Sequence, residues 1–184
     1  MTCIVALKVP NVCVWVGGDS GAFKEDEISQ RSCEKVFYNG DFLIGFSGSF
    51  RVGQLIKYSF SPPPIKDPEN IMRYFVVDFI DSLKECLRSK GNLKTNESGE
   101  ECHECDIIVA YKDKVVSIES DFNVGDHLDN YISIGSGALY ALGALSAIEE
   151  IDNLTPEQKI LKSLFASEKH SPSVVQPFTV LRTR

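Results

Sequence analysis

Hydrophobic and polar positions change period along this chain often enough to delimit its elements. Two short runs come first, Cys3 to Lys8 and Val12 to Gly17. Both are nearly continuous in apolar, β-prone residues, as expected of strands covered on both faces. Val9-Pro10-Asn11 between them reads as a hairpin turn. Gly17 to Gly21 breaks the second strand, and polar residues then run to Ser32. Lys35 to Tyr38 and Phe42 to Phe46 are predicted as a strand pair joined by the Asn39-Gly40-Asp41 turn. Ser47-Gly48-Ser49 ends the fourth strand and opens a helix with Val52, Leu55 and Ile56 on one face. After the stiff Ser61-Pro62-Pro63-Pro64 loop, a second helix is predicted from Pro68 to about Arg88. Its buried face carries Ile71, Tyr74, Phe75, Phe79, Ile80, Leu83 and Leu87.

Lys90 to Glu101 sets Gly91, Asn92, Asn96 and Gly99 among charges and reads as a mobile surface excursion. Asp106 to Tyr111 and Val115 to Glu119 are strands across the Lys112-Asp113-Lys114 turn, and Tyr131 to Ile134 is a shorter one. A helix follows Gly135-Ser136-Gly137, with Ala138, Leu142, Leu145 and Ile148 at near-helical spacing. The last helix has a legible start: Thr155 as cap, Pro156 in the first turn and Gln158 completing a capping box. It is expected to bury Ile160, Leu161, Leu164 and Phe165 and to end near Ser167. Pro177 interrupts a closing strand from Val174 to Leu181, which places that strand at an edge or a bulge. Strands, two helices, strands, two helices and a closing strand suit two packed sheets with helices outside.

Composition narrows the function classes. A chain of 184 residues, 43% hydrophobic, makes one globular domain with a sizeable core. Its net charge of −7 argues against nucleic acid or an anionic membrane as partner. No apolar run approaches membrane-spanning length, and no basic, then apolar, secretory leader opens the chain. The six cysteines lie mostly in apolar segments and read as reduced core residues, which points to the cytoplasm.

The candidate chemistry starts at the second residue. Thr2 stands directly behind Met1 and is small enough for the methionine to be trimmed. Trimming would place a hydroxyl and an α-amine of pKa about 7.7–8.0 on one residue. A hydroxyl is a poor nucleophile without an adjacent base, and a terminal amine can be that base.

From there the chain resembles the β-type proteasome subunits, most closely the HslV-type subunits of bacterial two-component proteases. The resemblance rests on motifs in order along nearly the whole chain. They are Met1-Thr2, Val16-Gly17-Gly18-Asp19-Ser20, Glu34-Lys35-Val36, Ile44-Gly45-Phe46-Ser47-Gly48 and the Ile134 to Gly143 stretch around Gly135-Ser136-Gly137. It implies an α+β fold, a four-layer αββα sandwich of the N-terminal-nucleophile hydrolase type. Thr2 would be the nucleophile, Lys35 the cation beside its hydroxyl and Asp19 the partner of Lys35. The Gly48 N–H would stabilise the oxyanion, and Ser136 would bond near the terminal amine. Gly21 and Phe23 would lie along the substrate backbone, with Phe46, Ser47 and Ser49 around the specificity pocket. The resemblance further implies homo-oligomeric stacked rings, a ring ATPase unfoldase as partner and unfolded polypeptides as substrates. It calls for no cofactor and no metal.

Several positions depart from the family pattern. Phe23 stands where a threonine is usual, and Glu34 where a lysine is. Ser171 and Val174 occupy the places of a distal Asp-x-x-Ser pair, so that support is expected to be missing. A surface insertion spans about residues 89–105. Within it, Cys102-His103-Glu104-Cys105 supplies too few ligands for a closed zinc site and reads as entry to a strand. Two other readings remain open from sequence: a silent ring or scaffold protein that keeps Met1, and a small-molecule amidase of the same fold.

Overall fold

The structure, a computed structural model, describes residues 2–24 and 27–184, and for residues 23, 24, 27 and 28 the backbone alone. One sheet has the order β12-β1-β2-β13, formed by Tyr131–Ile134, Ile4–Val9, Cys13–Gly18 and Thr179–Arg182. The other has the order β11-β10-β9-β6-β5, formed by Val124–Gly125, Lys114–Ile118, Cys105–Tyr111, Phe42–Gly48 and Val36–Asn39. All pairings within them are antiparallel.

Three apolar clusters show how the layers stack. Ile4, Ala6, Val14 and Val16 meet Val36, Leu43, Ile108 and Ala110 between the two sheets. Cys3, Val5 and Leu7 face the other way, onto Ala141, Leu145, Ile160 and Leu164. Those come from α4, Ala138–Ile148, and α5, Pro156–His170. Behind the second sheet, Phe42, Ile44 and Phe46 pack on helices α1, Phe50–Tyr58, and α3, Ile80–Ser89. Alternation along a strand produces this division, because neighbouring side chains leave on opposite faces. The result is the αββα sandwich expected from the sequence.

Local differences from the sequence reading have physical causes. The polar stretch after Asp19 folds into a small hairpin, β3 Gly21–Lys24 with β4 Glu27–Gln30. Polar and charged residues crowd this stretch of the sequence, so hydropathy left it unmarked. The second predicted helix is a 3₁₀ turn Pro68–Asn70, α2 Ile71–Arg73, a π turn Tyr74–Phe79 and then α3. The predicted apolar face is buried as read. The excursion after α3 is a short hairpin, β7 Lys94–Thr95 with β8 Glu101–Cys102. Lys84 and Arg88 hold Glu101, and Lys94 pairs with Glu104.

The capping box at Thr155 and Gln158 is present, and Thr179–Arg182 takes the sheet edge. Phe165 is 47% exposed rather than buried, because Ser163 and Ser167 take the inner positions beside Ile160 and Leu164. On α4 only Ala141 and Leu145 are buried, while Leu139 and Tyr140 are exposed. No described helix is long and apolar enough to cross a membrane.

Candidate active site

β1 and β2 run antiparallel with Ile4 opposite Gly18, which brings the residue before β1 level with the residues after β2. Thr2 and Asp19 therefore meet. Lys35, just before β5 on the facing sheet, points into the same gap between the sheets. All three are almost wholly buried, at 2%, 3% and 2% exposure. The Lys35 Nζ donates to Thr2 Oγ1 at 3.0 Å and to Asp19 Oδ1 and Oδ2 at 2.9 and 3.0 Å. An ammonium has three protons, so each has an acceptor.

Asp19 is equally well matched. Its Oδ1 also accepts from the Cys3 N–H at 3.0 Å, and its Oδ2 from the Gly21 N–H at 2.9 Å. A buried ion pair is stable only when its remaining lone pairs and protons are satisfied, and here they are. Burial lowers the Lys35 pKa from its ordinary value, and the charge and hydrogen bonds of Asp19 work against that fall. Loss of Asp19 would leave the cation dearly buried.

A second set of contacts fixes the backbone of Thr2. Its N–H donates to Ser136 Oγ at 3.2 Å, and its carbonyl accepts from the Gly137 N–H at 3.1 Å and from Ser136 Oγ at 3.4 Å. Gly135 makes the approach possible. It has φ +93°, and a Cβ there would stand 2.4 Å from the Thr2 carbonyl oxygen and 2.7 Å from Ser47 Oγ. Behind Ser136 the hydrogen bonds continue, Ser136 Oγ to Ser173 Oγ at 2.8 Å and Ser173 Oγ to Ser171 Oγ at 2.8 Å. Ser173 is 1% exposed and Ser171 is 6% exposed.

These two serines are what the sequence reading missed. It placed Ser171 and Val174 where an acid and a serine usually stand and expected no support there. Val174 is a core residue, and the neighbouring Ser173 does the bonding. The Ser171-Pro172-Ser173 triplet directly after a helix end was the available signal.

The remaining candidates divide. Gly48 ends β6 with φ +116°, and a Cβ on it would collide with the Glu104 carbonyl oxygen at 2.2 Å. Only glycine fits that strand end, and the adjacent Ser49 N–H is pinned to the same carbonyl at 2.8 Å. Ser47, 7% exposed, faces the gap between the sheets near Gly135. Ser49 caps α1 by accepting from the Val52 N–H at 3.4 Å. The Gly21 N–H is committed to Asp19.

Phe46 requires a correction: it is 1% exposed, packed over Gly53 between Phe37 and Phe50, and offers a ligand no surface. The side chain of Phe23 lies outside the described residues, as does Met1.

Cys102, His103, Glu104 and Cys105 do not converge. His103 is buried against the Phe122 ring, with Nδ1 accepting from the Cys105 N–H at 3.3 Å. Burial pushes its pKa down to about 4, against an opposing pull from the Glu119 backbone. Glu104 turns outward, and Cys105 Sγ donates to the Ser49 carbonyl at 3.3 Å. The segment thus braces the Gly48–Ser49 turn from behind. All six cysteines are free thiols.

Two sheets enclosed by helices, with a threonine ahead of the first strand facing a buried lysine–aspartate pair, define the N-terminal-nucleophile hydrolase fold in its proteasome β form. Within it the chain is HslV-like in both sequence and fold. It is 27% identical over 165 residues to the ATP-dependent protease subunit HslV of Caldicellulosiruptor saccharolyticus, covering 89% of this chain and 87% of that protein. Among solved structures, BPH of Thiobacillus denitrificans in complex with epoxomicin matches with a TM-score of 0.83 and 17% identity. That match covers 99% of this chain and 98% of BPH. The eukaryotic HslV from Trypanosoma brucei matches with a TM-score of 0.69 and 20% identity, covering 98% of each chain. No protein-family model matches the chain.

Proposed function

We propose that the chain is the proteolytic subunit of a self-compartmentalising threonine peptidase, with Thr2 as nucleophile once Met1 is removed. The observation that carries this reading is the contact of Lys35 Nζ with Thr2 Oγ1 at 3.0 Å, held by Asp19 from the other side. Asp19 takes two of the three ammonium protons, and the third is directed at the hydroxyl of the residue behind the initiator methionine.

The chemistry follows from that geometry. The Thr2 amine takes the hydroxyl proton as Oγ1 attacks the substrate carbonyl carbon. The Lys35 charge lowers the energy of the developing alkoxide, and the Gly48 N–H receives the negative charge that moves to the carbonyl oxygen. Loss of one such donor typically slows acyl transfer by ~10²–10³-fold. The amine then returns its proton to the departing nitrogen, which leaves an ester on Thr2. Water, deprotonated by the same amine, hydrolyses the ester and regenerates the hydroxyl. Ser136 holds the amine in line throughout.

Substrates in this reading are unfolded polypeptides, and the subunits close into stacked homo-oligomeric rings fed by a ring ATPase. The Caldicellulosiruptor relative is an ATP-dependent protease subunit, which supports an energy-driven partner. The exposed Leu139, Tyr140 and Phe165 on the outer helices supply apolar surface for subunit contacts. Six free thiols suit a reducing compartment, and we place the protein in the cytoplasm.

The test is the intact mass of the purified protein after exposure to epoxomicin, beside a Thr2→Ala control. Loss of one methionine and a single adduct absent from the control is the expected result. A retained Met1 without an adduct would remove the nucleophile from this reading.

A further inference from the structure

Beneath the turn that carries Gly48, one peptide unit is held at both ends. Its carbonyl, that of Glu104, accepts from the Ser49 N–H at 2.8 Å. Its N–H, that of Cys105, donates to Nδ1 of His103 at 3.3 Å. A peptide unit is planar, so a bond at one end sets the direction of the group at the other. Gly48 rests on that same carbonyl, with no room for a Cβ between them. The Gly48 end of the strand is exposed, whereas His103 is buried at 2% exposure. In the peptidase reading a substrate would meet Gly48 from outside while the imidazole acts from within.

Packing alone does not account for an imidazole at this place. Burial pushes its pKa down to about 4, so at neutral pH the ring is uncharged, with one nitrogen protonated and the other bare. Nδ1 accepts from Cys105, which puts the proton on Nε2. That Nε2 is buried and has no hydrogen-bond partner among the described residues. The Glu119 backbone draws on the ring only from outside bonding geometry. A buried donor left unpaired is costly, and an apolar side chain of similar size would avoid the cost.

What an apolar side chain could not supply is the acceptor for Cys105. The surroundings keep that acceptor in place. The His103 N–H donates to the Ser120 carbonyl at 2.8 Å, and the Phe122 ring packs against the imidazole with centroids 4.6 Å apart. Phe122 itself is held at φ +69°, a backbone conformation rare for so bulky a residue.

We propose that His103 is a positioning residue for the oxyanion donor: through the Glu104–Cys105 peptide it aims the Gly48 N–H at the oxygen of the reacting carbonyl. This rests on the peptidase reading above and adds to it a buried residue that touches neither substrate nor nucleophile.

The experiment compares the wild-type protein with two variants. His103→Leu keeps the bulk and drops the acceptor. His103→Asn gives up the ring and keeps an acceptor on Cγ, which can bond the N–H two residues on as in an Asx turn. Epoxomicin labelling of Thr2 over a range of concentrations separates the maximal rate from the half-saturating concentration. His103→Leu should lower the maximal rate roughly tenfold at unchanged half-saturation, short of the ~10²–10³-fold for outright loss of a donor. His103→Asn should recover most of that rate despite a lower melting temperature, because it has lost packing on Phe122. A merely structural histidine would give the opposite order, with labelling following melting temperature.

Amide hydrogen exchange reads the alignment apart from the chemistry: the Ser49 amide should lose protection in His103→Leu and regain it in His103→Asn. In the wild-type protein, nitrogen NMR should find the proton on Nε2 and Nδ1 bare. Unchanged Ser49 protection, the opposite tautomer, or labelling that tracks melting temperature would overturn the role of His103 and leave the peptidase reading standing. The expected exchange pattern with no epoxomicin adduct on the wild-type protein would instead overturn the peptidase reading, and the oxyanion role with it.

Discussion

At the scale of single residues, the site is a set of exact donor and acceptor matches, so small changes have specific signatures. In the peptidase reading Lys35 assists the hydroxyl only while protonated, and burial already lowers its pKa. Activity should therefore fall on an alkaline limb below the ordinary lysine value, because the charge is lost as pH rises through the lowered pKa. Asp19→Asn removes the group that holds that pKa up, so its limb should lie at still lower pH in a kcat–pH profile. Ser173→Ala cuts the hydrogen-bond chain behind Ser136. Losing a bond of about 1–1.5 kcal/mol should slow epoxomicin labelling of Thr2 roughly tenfold. The double variant with Ser136→Ala should be little slower than Ser136→Ala alone, since the two act as one unit. Independent, multiplying losses would show that Ser173 is merely structural. Ordered motifs singled out Thr2, Asp19, Lys35, Gly48 and Ser136, whereas Ser171 entered only as a departure from the family pattern and Ser173 not at all. A serine acting through another serine has no spacing rule, and only the fold sets who faces whom.

At the scale of elements, hydropathy was most reliable where one face is continuous. The strands of both sheets and the inner face of the second helix were readable for that reason. It failed on β3 and β4, whose sequence is broken up by polar and charged residues, and on Phe165, where buried serines displaced the expected aromatic. The π turn was hidden for another reason: its apolar positions, Tyr74 with Phe79 and Phe75 with Ile80, recur five apart as well as four apart. A π turn holds one residue more than the α-helix it interrupts. Deleting Val77, which is 39% exposed within it, should therefore relax the turn to α-helix and keep Leu83 and Leu87 in the core. Deleting Ser82 instead would rotate the following residues by roughly 100° and turn both leucines outward. Thermal melting should show a small shift for the first and a loss of several kcal/mol of stability for the second. Comparable losses would contradict this account.

At the scale of the whole molecule, the four layers were legible from element order, whereas the link from Thr2 through Ser136 to Ser173 was not, because its members come from distant segments. The same long-range closure governs the proposed nucleophile. Thr2 leads the chain, but its nitrogen bonds Ser136, 134 positions away, and the next link is Ser173. A chain is synthesised from its N-terminus at roughly 5–20 residues per second, so on the order of ten to thirty seconds separate the first residue from the last partner. During that interval a growing chain has its threonine but not the groups that orient it. Ribosome-bound chains arrested at successive lengths should react with epoxomicin only after Ser173 has emerged, which mass spectrometry of the released chains would show. On the peptidase reading the fold would thus act as a timer, withholding a hydrolytic group from the surrounding proteins until the molecule that carries it is nearly complete.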